Sequence, residues 1–262
     1  MFNVIQKKIR QNNTIIFRFK NNFIKCPFCF GSLREMIIEK NKINFVRKDI
    51  HFSRHLLDYR YIFLYCSITP EMSPLDVSHD SFLIKLYFEN AFLRKDEWQL
   101  RKVADLIEWK FLANFIKQHE LDNDNLIRKF VENIKMPQSS SHGDFYQDNI
   151  LVKNNQLFFI DWSRYCKVSS RYFDLIDYYL YSKKYTPNEG WMDVWNREFK
   201  IARESIFGIP MTYNIYLSYG LWKTAMEISV LYRFKRLNKN KCKKYLNYIK
   251  KFYANKLYYT DL

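Results

Sequence analysis

Residues 142–162 read HGDFYQDNILVKNNQLFFIDW. Two apolar runs, Asn149 to Lys153 and Leu157 to Asp161, flank Asn154-Asn155-Gln156, a pattern that predicts a β-hairpin. Centring that hairpin on Asn155 puts Asn149 opposite Asp161 and Leu151 opposite Phe159. Directly opposed side chains stand about 5 Å apart at Cβ. One amide oxygen and one carboxylate at that separation form a hard-oxygen pair suited to Mg2+, which completes its octahedron with waters and phosphate oxygens. Asp144, in the loop before the first strand, approaches the same space, where a carboxylate orients an attacking hydroxyl and takes its proton. Singly, Asp144, Asp148 and Asn149 read as turn caps and His142 as a loop histidine. Together, at this spacing and between strands, they point to chemistry.

Outward from this stretch the pattern changes on both sides. Residues 13–27 (NTIIFRFKNNFIKCP) read as two short strands joined at Asn21-Asn22. Ser32 to Val46 reads as a helix with Ser32 as N-cap and Glu35 three residues on, a capping-box pattern. Tyr59 to Ile68 (YRYIFLYCSI) is a continuous aromatic and β-branched run suited to a buried strand that Thr69-Pro70 ends. Helical spacing dominates from Ser81 to Ile134, is broken by Pro137-Gln138-Ser139-Ser140-Ser141, and returns beyond Ser169. The order is α+β: a small strand-rich N-terminal part, residues 1–68, and a larger helical part with an inserted hairpin, residues 69–262. No repeat and no Pro/Ser/Gly linker divides them.

Composition bounds the classes that remain. The 262 residues are 48% hydrophobic and 19% aromatic, which excludes a disordered or fibrous chain. MFNVIQKKIRQ carries basic residues but no apolar run of signal-peptide length, so a cytoplasmic location is expected. Ile206 to Trp222 is the longest uncharged stretch, but Pro210, Asn214 and two glycines make it a buried C-terminal helix rather than a membrane span. Five cysteines without an export signal predict reduced thiols rather than a disulfide framework. Cys26-Pro27-Phe28-Cys29 spells CxxC, yet no second CxxC or His pair completes a zinc site. The formal net charge of +16 attracts polyanions, among them nucleic acid, anionic headgroups and phosphorylated glycans. Basic residues interleaved with aromatics suit a nucleic-acid binder, but their helical spacing favours core packing, so nucleic acid is not the expected partner.

His142-Gly143-Asp144, then Asn149, then Ile160-Asp161-Trp162 resembles the catalytic loop and metal-binding aspartate of the aminoglycoside phosphotransferase and choline kinase superfamily. The resemblance covers most of the chain in order and is specific over residues 142–177. It implies a two-lobed protein-kinase-like fold, with residues 1–68 as the nucleotide-binding lobe and 69–262 as the catalytic and substrate-binding lobe. It implies ATP and Mg2+ as cofactors, Asp144 as catalytic base, and Asn149 and Asp161 as metal ligands. His142 and Asp174 (in Tyr172-Phe173-Asp174-Leu175) look like structural supports of the catalytic loop. In the N-terminal lobe, Lys25 looks like the lysine that contacts the α- and β-phosphates, and Glu39 like its ion-pair partner. Lys20 and Glu35 compete for those two roles. By position only, Tyr65 and Cys66 begin the hinge segment that meets adenine. No G-x-G-x-x-G loop or P-loop is present, which departs from the protein-kinase pattern.

The implied reaction is transfer of the ATP γ-phosphate to a hydroxyl of a small molecule or glycan. Aminoglycosides and choline are cations, whereas this chain is strongly basic, so its charge suits an anionic sugar or a membrane-attached glycolipid and peripheral contact with an anionic membrane surface. Other readings are an aminoglycoside- or choline-type kinase, a catalytically silent kinase-like binding protein, and a basic nucleic-acid-binding protein.

Overall fold

The computed structural model describes residues 8–9, 14–62, 65–93, 98–121, 125–183, 190–201, 205–233 and 239–257. The first half of the chain forms β1 (Lys8–Ile9), β2 (Thr14–Phe19), β3 (Asn22–Pro27), α1 (Phe30–Val46), β4 (Arg60–Ile62), β5 (Cys66–Pro70), β6 (Ser73–Pro74) and α2 (Val77–Phe92). The middle forms β7 (Leu100–Lys102), α3 (Val103–Leu106), α4 (Trp109–Gln118), α5 (Leu126–Asn133), β8 (Lys135–Pro137), β9 (Ser139–Ser141), β10 (Ile150–Lys153) and β11 (Gln156–Phe159). β12 (Cys166–Ser169), α6 (Arg171–Ser182), α7 (Trp191–Ile201), β13 (Ser205–Ile206), β14 (Ile209–Pro210), α8 (Tyr213–Arg233) and α9 (Lys239–Leu257) complete it. The fold is α+β, with its strands concentrated towards the N-terminus. Contacts divide it into two compact units, Met1–Tyr87 with His142–Cys166, and Phe88–Ser141 with Lys167–Leu262.

The first unit is built on a five-stranded sheet of order β1-β2-β3-β5-β4, antiparallel throughout. β2 and β3 turn at Lys20-Asn21, with Phe19 paired to Asn22 and Lys20 at φ 53°. α1 buries Met36, Glu39, Ile43 and Val46 along one face, a helical stripe with one carboxylate inside it. The helix starts two residues earlier than Ser32. Its N-cap is Cys29, and Ser32 lies at the third position, where its Oγ accepts the Phe28 and Cys29 N–H groups. The expectation of Ser32 as N-cap is therefore corrected: an interior serine serves the capping box from the other end. The single strand expected over Tyr59–Ile68 is also corrected. β4 and β5 form an antiparallel pair, with Ile62 opposite Cys66, and Tyr65 at φ 124° belongs to the reversal between them.

The β10–β11 hairpin differs from expectation by one residue. Leu151 faces Phe158 and Lys153 faces Gln156, so the turn is the two-residue Asn154-Asn155, not three residues centred on Asn155. Both asparagines have positive φ, 50° and 59°, the conformation of a type I′ turn that matches strand twist and that asparagine tolerates. Asn149 consequently lies opposite Ile160, whose N–H donates to the Asn149 carbonyl at 3.0 Å. β6 borders β10 on its other side.

An aromatic core joins the sequence-distant parts of this unit. Phe52 meets Trp162 edge-on at 5.3 Å, His55 stacks on Phe159 at 4.9 Å, and Phe145 contacts Phe159 at 4.9 Å and Tyr87 at 5.6 Å. Such ring pairs add about 0.5–1.5 kcal/mol each beyond the area they bury. A polar bond fastens the same junction, between His55 Nδ1 and the Leu157 carbonyl at 2.9 Å.

The second unit is predominantly helical. α6 packs on α8 through Phe173 stacked on Trp222 at 5.0 Å, and a buried Lys223 and the Tyr219 hydroxyl both donate to Asp177. Gly220 lets α8 approach Trp195, since a Cβ there would stand 3.1 Å from the indole. The helix expected from Ile206 begins at Tyr213, after the short β13–β14 pair. Among the described residues no helix is long and apolar enough to cross a membrane.

Candidate active site

Lys25 sits mid-strand in β3, and its ammonium donates to Glu39 Oε2 at 2.7 Å. Glu39 is 3% exposed at its side chain and Lys25 19%. Of the competitors, Lys20 occupies the β2–β3 turn, and Glu35 lies half-buried a turn earlier on α1. Burial pushes the Glu39 carboxyl above its usual range, the Lys25 charge pulls it back, and the Asp161 carboxylate raises it again. The Trp162 backbone lies near enough to Glu39 to pull its pKa down slightly, which brings α1 up to the segment that carries Asp161.

Asp161 lies in the left-handed region, φ 63° and ψ 59°, just before the helical turn Trp162–Arg164. That conformation is open to aspartate but uncommon, and such residues concentrate at functional sites. Ser163 Oγ donates to Asp161 Oδ1 at 3.0 Å. Trp162 is fully buried, and its indole N–H donates to the Phe159 carbonyl at 3.1 Å. The fully buried His142 Nε2 donates to the carbonyl of Ile160 at 3.0 Å, which braces the residue before Asp161.

Asn149 is 1% exposed. Its Nδ2 donates to the Asp144 main-chain carbonyl at 2.9 Å, and that bond settles which end of the amide is nitrogen. Its Oδ1 is buried with no hydrogen-bond partner among the described residues. An unpaired buried amide oxygen costs about 1–3 kcal/mol, and a bound cation would remove that cost. Asn149 Oδ1 and the Asp161 carboxylate are hard oxygens of the kind Mg2+ takes, so the residues present fit that ion.

Asp144 Oδ1 accepts from Arg164 Nη1 at 3.1 Å, a pair half-open to solvent. Gly143 makes the loop possible: at φ 85° it is left-handed, and a Cβ would fall 2.3 Å from the Arg164 carbonyl oxygen. Arg164 is the residue that reading by sequence missed. Its only signal there was a cation three positions after Asp161.

Three more expected residues complete the set. Tyr65 is covered by Lys40, whose ammonium lies 5.5 Å from the ring centroid, and Cys66 opens β5. Asp174 belongs to the second unit, fully buried in the first turn of α6. Lys25, Glu39, His142, Asp144, Asn149 and Asp161 all lie in the first unit.

No protein-family model matches the chain, and no curated protein matches it by sequence. Solved structures do. The choline kinase LicA from Streptococcus pneumoniae superposes with a TM-score of 0.55 at 14% identity, covering 95% of this chain and 92% of that one. The macrolide 2'-phosphotransferase MphH from Brachybacterium faecium gives 0.52 at 11%, covering 92% and 91%. A thermostable mutant of the aminoglycoside phosphotransferase APH(4)-Ia, in a ternary complex with ADP and hygromycin B, gives 0.52 at 10%, covering 94% and 92%. The strand-rich sheet with its single helix, the loop-and-hairpin carrying Asp144, Asn149 and Asp161, and these superpositions together show that the chain has the kinase-like fold of those solved phosphotransferases.

Proposed function

We propose that this protein is an ATP- and Mg2+-dependent phosphotransferase that moves the γ-phosphate to a hydroxyl group of a small molecule or glycan. The observation that carries the reading is the buried Oδ1 of Asn149, which has no hydrogen-bond partner among the described residues, on an amide whose Nδ2 donates to the Asp144 backbone in the unit that also carries Asp161 and the Lys25–Glu39 pair. Asn149 and Asp161 hold the metal ion, which when bound neutralises charge on the transferring phosphoryl group. Lys25, kept in place by Glu39, binds the α- and β-phosphates. Tyr65 and Cys66 contact the adenine as the start of the hinge. Asp144 orients the acceptor hydroxyl and accepts its proton as the new P–O bond forms. His142 and Asp174 support the loop. Residues 1–68 serve as the nucleotide lobe and 69–262 as the catalytic and acceptor lobe.

The acceptor we favour is anionic, a phosphorylated sugar or a glycolipid headgroup met from the cytoplasmic side, because the chain carries a net charge of +16. The solved relatives named above include a choline kinase and phosphotransferases of macrolides and aminoglycosides, so a cationic acceptor is the alternative within the same reaction. A silent binding protein is favoured by one contact, the Arg164 guanidinium paired with the base carboxylate.

The test follows label from γ-phosphate-labelled ATP into glycolipid, small-molecule, protein and nucleic-acid fractions, for wild type and Asp144→Asn. Transfer into one fraction that drops by about 10²–10⁴-fold in the variant supports the reading and names the acceptor class. Nucleotide binding without Asp144-dependent transfer into any fraction would replace it with the silent protein. Salt-sensitive retention on nucleic acid, unchanged by the substitution and without transfer, would replace it with the nucleic-acid binder.

A further inference from the structure

Three of the five cysteines lie close together in sequence or across the sheet, and the contacts do not follow the CxxC spacing. Cys29 is the exposed N-cap of α1, where Ser32 Oγ approaches its sulfur at 3.6 Å. The neighbour of Cys26 is instead Cys66. β3 and β5 are antiparallel with Lys25 opposite Ser67, and one further residue of that register sets Cys26 opposite Cys66. Opposed antiparallel residues have Cα atoms about 4.5–5.5 Å apart, inside the range of about 4.4–6.8 Å that a disulfide spans. The two thiols are close enough that Cys66, after burial, helps to raise the Cys26 pKa. Alternation along β3 turns Lys25 towards Glu39 and Cys26 to the other face. Both cysteines are reduced and only partly buried, so a small thiol reagent has access.

We propose that Cys26 and Cys66 form a redox-sensitive modification site, a cross-strand dithiol that closes to a disulfide and fastens β3 to β5 on the sheet face opposite Lys25. The co-reactant is a low-molecular-weight disulfide such as glutathione disulfide. Cys66 as thiolate attacks one sulfur of the reagent, forming a mixed disulfide and releasing one thiolate. Cys26 then gives up its proton, attacks the Cys66 sulfur, and expels the second thiolate. In balance, two protein thiols become one disulfide, and one reagent disulfide becomes two thiols. The order follows from the surroundings of Cys26: burial and the neighbouring Cys66 push its thiol up to about 12, so it holds its proton until the mixed disulfide forms. The bond joins the strand of Lys25 to the start of the segment after Tyr65, whose φ of 124° is strained for a residue other than glycine. The proposal stands on the strand register and the partial exposure of the two thiols, and does not depend on the phosphotransferase reading.

The experiment equilibrates the full chain in buffers of graded reduced-to-oxidised glutathione ratio, alkylates free thiols and maps the peptides. The expected result is loss of two of the five alkylatable thiols, a peptide linking Cys26 to Cys66, full reversal by dithiothreitol, and a melting temperature raised by roughly 5–10 °C in the oxidised form. Cys66→Ser removes both the link and the shift, whereas Cys29→Ser leaves both. A Cys26–Cys29 link, persistent glutathione adducts, five free thiols at every ratio, or an unchanged melting temperature would each overturn the proposal. The map is made on wild type, so it does not depend on any variant folding.

Discussion

The amide of Asn149 has one end tied and one end open: Nδ2 grips the Asp144 carbonyl, and Oδ1 accepts from no group among the described residues. Asn149→Ala therefore acts on two things at once, the loop that carries Asp144 and the oxygen offered to the cation. The expected result is a Mg2+ requirement raised about 10–100-fold in a titration of transfer activity. Gly143 is the second residue whose identity is dictated by its surroundings. Gly143→Ala forces a Cβ to within 2.3 Å of the Arg164 carbonyl oxygen in a left-handed backbone, and should lower unfolding stability by about 2–4 kcal/mol by urea denaturation. A Gly143→Ala protein as stable as wild type would contradict the geometry.

At the scale of elements, α1 presents a carboxylate inside an apolar stripe, and that arrangement has a pH signature. The folded-state pKa of Glu39 is raised from about 4.5, mainly by burial, so the native protein keeps this proton after the unfolded chain has lost it. Where the native state binds more protons, stability falls as pH rises, here from the unfolded value upward to the raised one. Glu39→Gln removes that slope. The melting temperature of the variant minus that of wild type is thus expected to climb with pH above about 4.5, and a difference that stays level would show Glu39 ionised throughout.

Elements were also where reading by sequence succeeded and failed for identifiable reasons. The β2–β3 and β10–β11 pairs and the helix between sheet strands were legible because their apolar periods are short and strict. The hairpin register was not, since NNQ admits a two- or a three-residue turn, and only the positive φ of both Asn154 and Asn155 chooses the shorter. The run Tyr59–Ile68 read as one strand because nothing in its apolar composition marks a reversal, which is carried by the backbone of Tyr65. Asp144, Asn149 and Asp161 stood out through their spacing. Arg164 did not, because its contact with Asp144 depends on how the loop closes over Gly143.

For the whole molecule, the net charge of +16 makes the proposed phosphotransfer sensitive to salt. If the acceptor is anionic, kcat/KM should fall about tenfold or more as added salt shortens the screening length from ~10 Å to ~3 Å. A cationic acceptor of the aminoglycoside kind should show the opposite trend, so a salt series on both acceptors separates the two readings.

The first compact unit is written in two pieces, Met1–Tyr87 and His142–Cys166, with residues of the second unit between them. Phe52 and His55 find Phe159 and Trp162 more than a hundred positions away. On a ribosome, the early segment therefore waits several seconds at ordinary elongation rates before the hairpin that completes its core emerges. During that interval a sheet whose longest strands, β2 and β3, have six residues, and an aromatic-rich helix-and-loop segment, stand without their partner. Nascent chains arrested just before residue 142 should be captured by a chaperone or cut by a protease, and chains arrested well past residue 166 should be protected. Vectorial synthesis, more than final stability, is then the stage at which this protein is most exposed to loss.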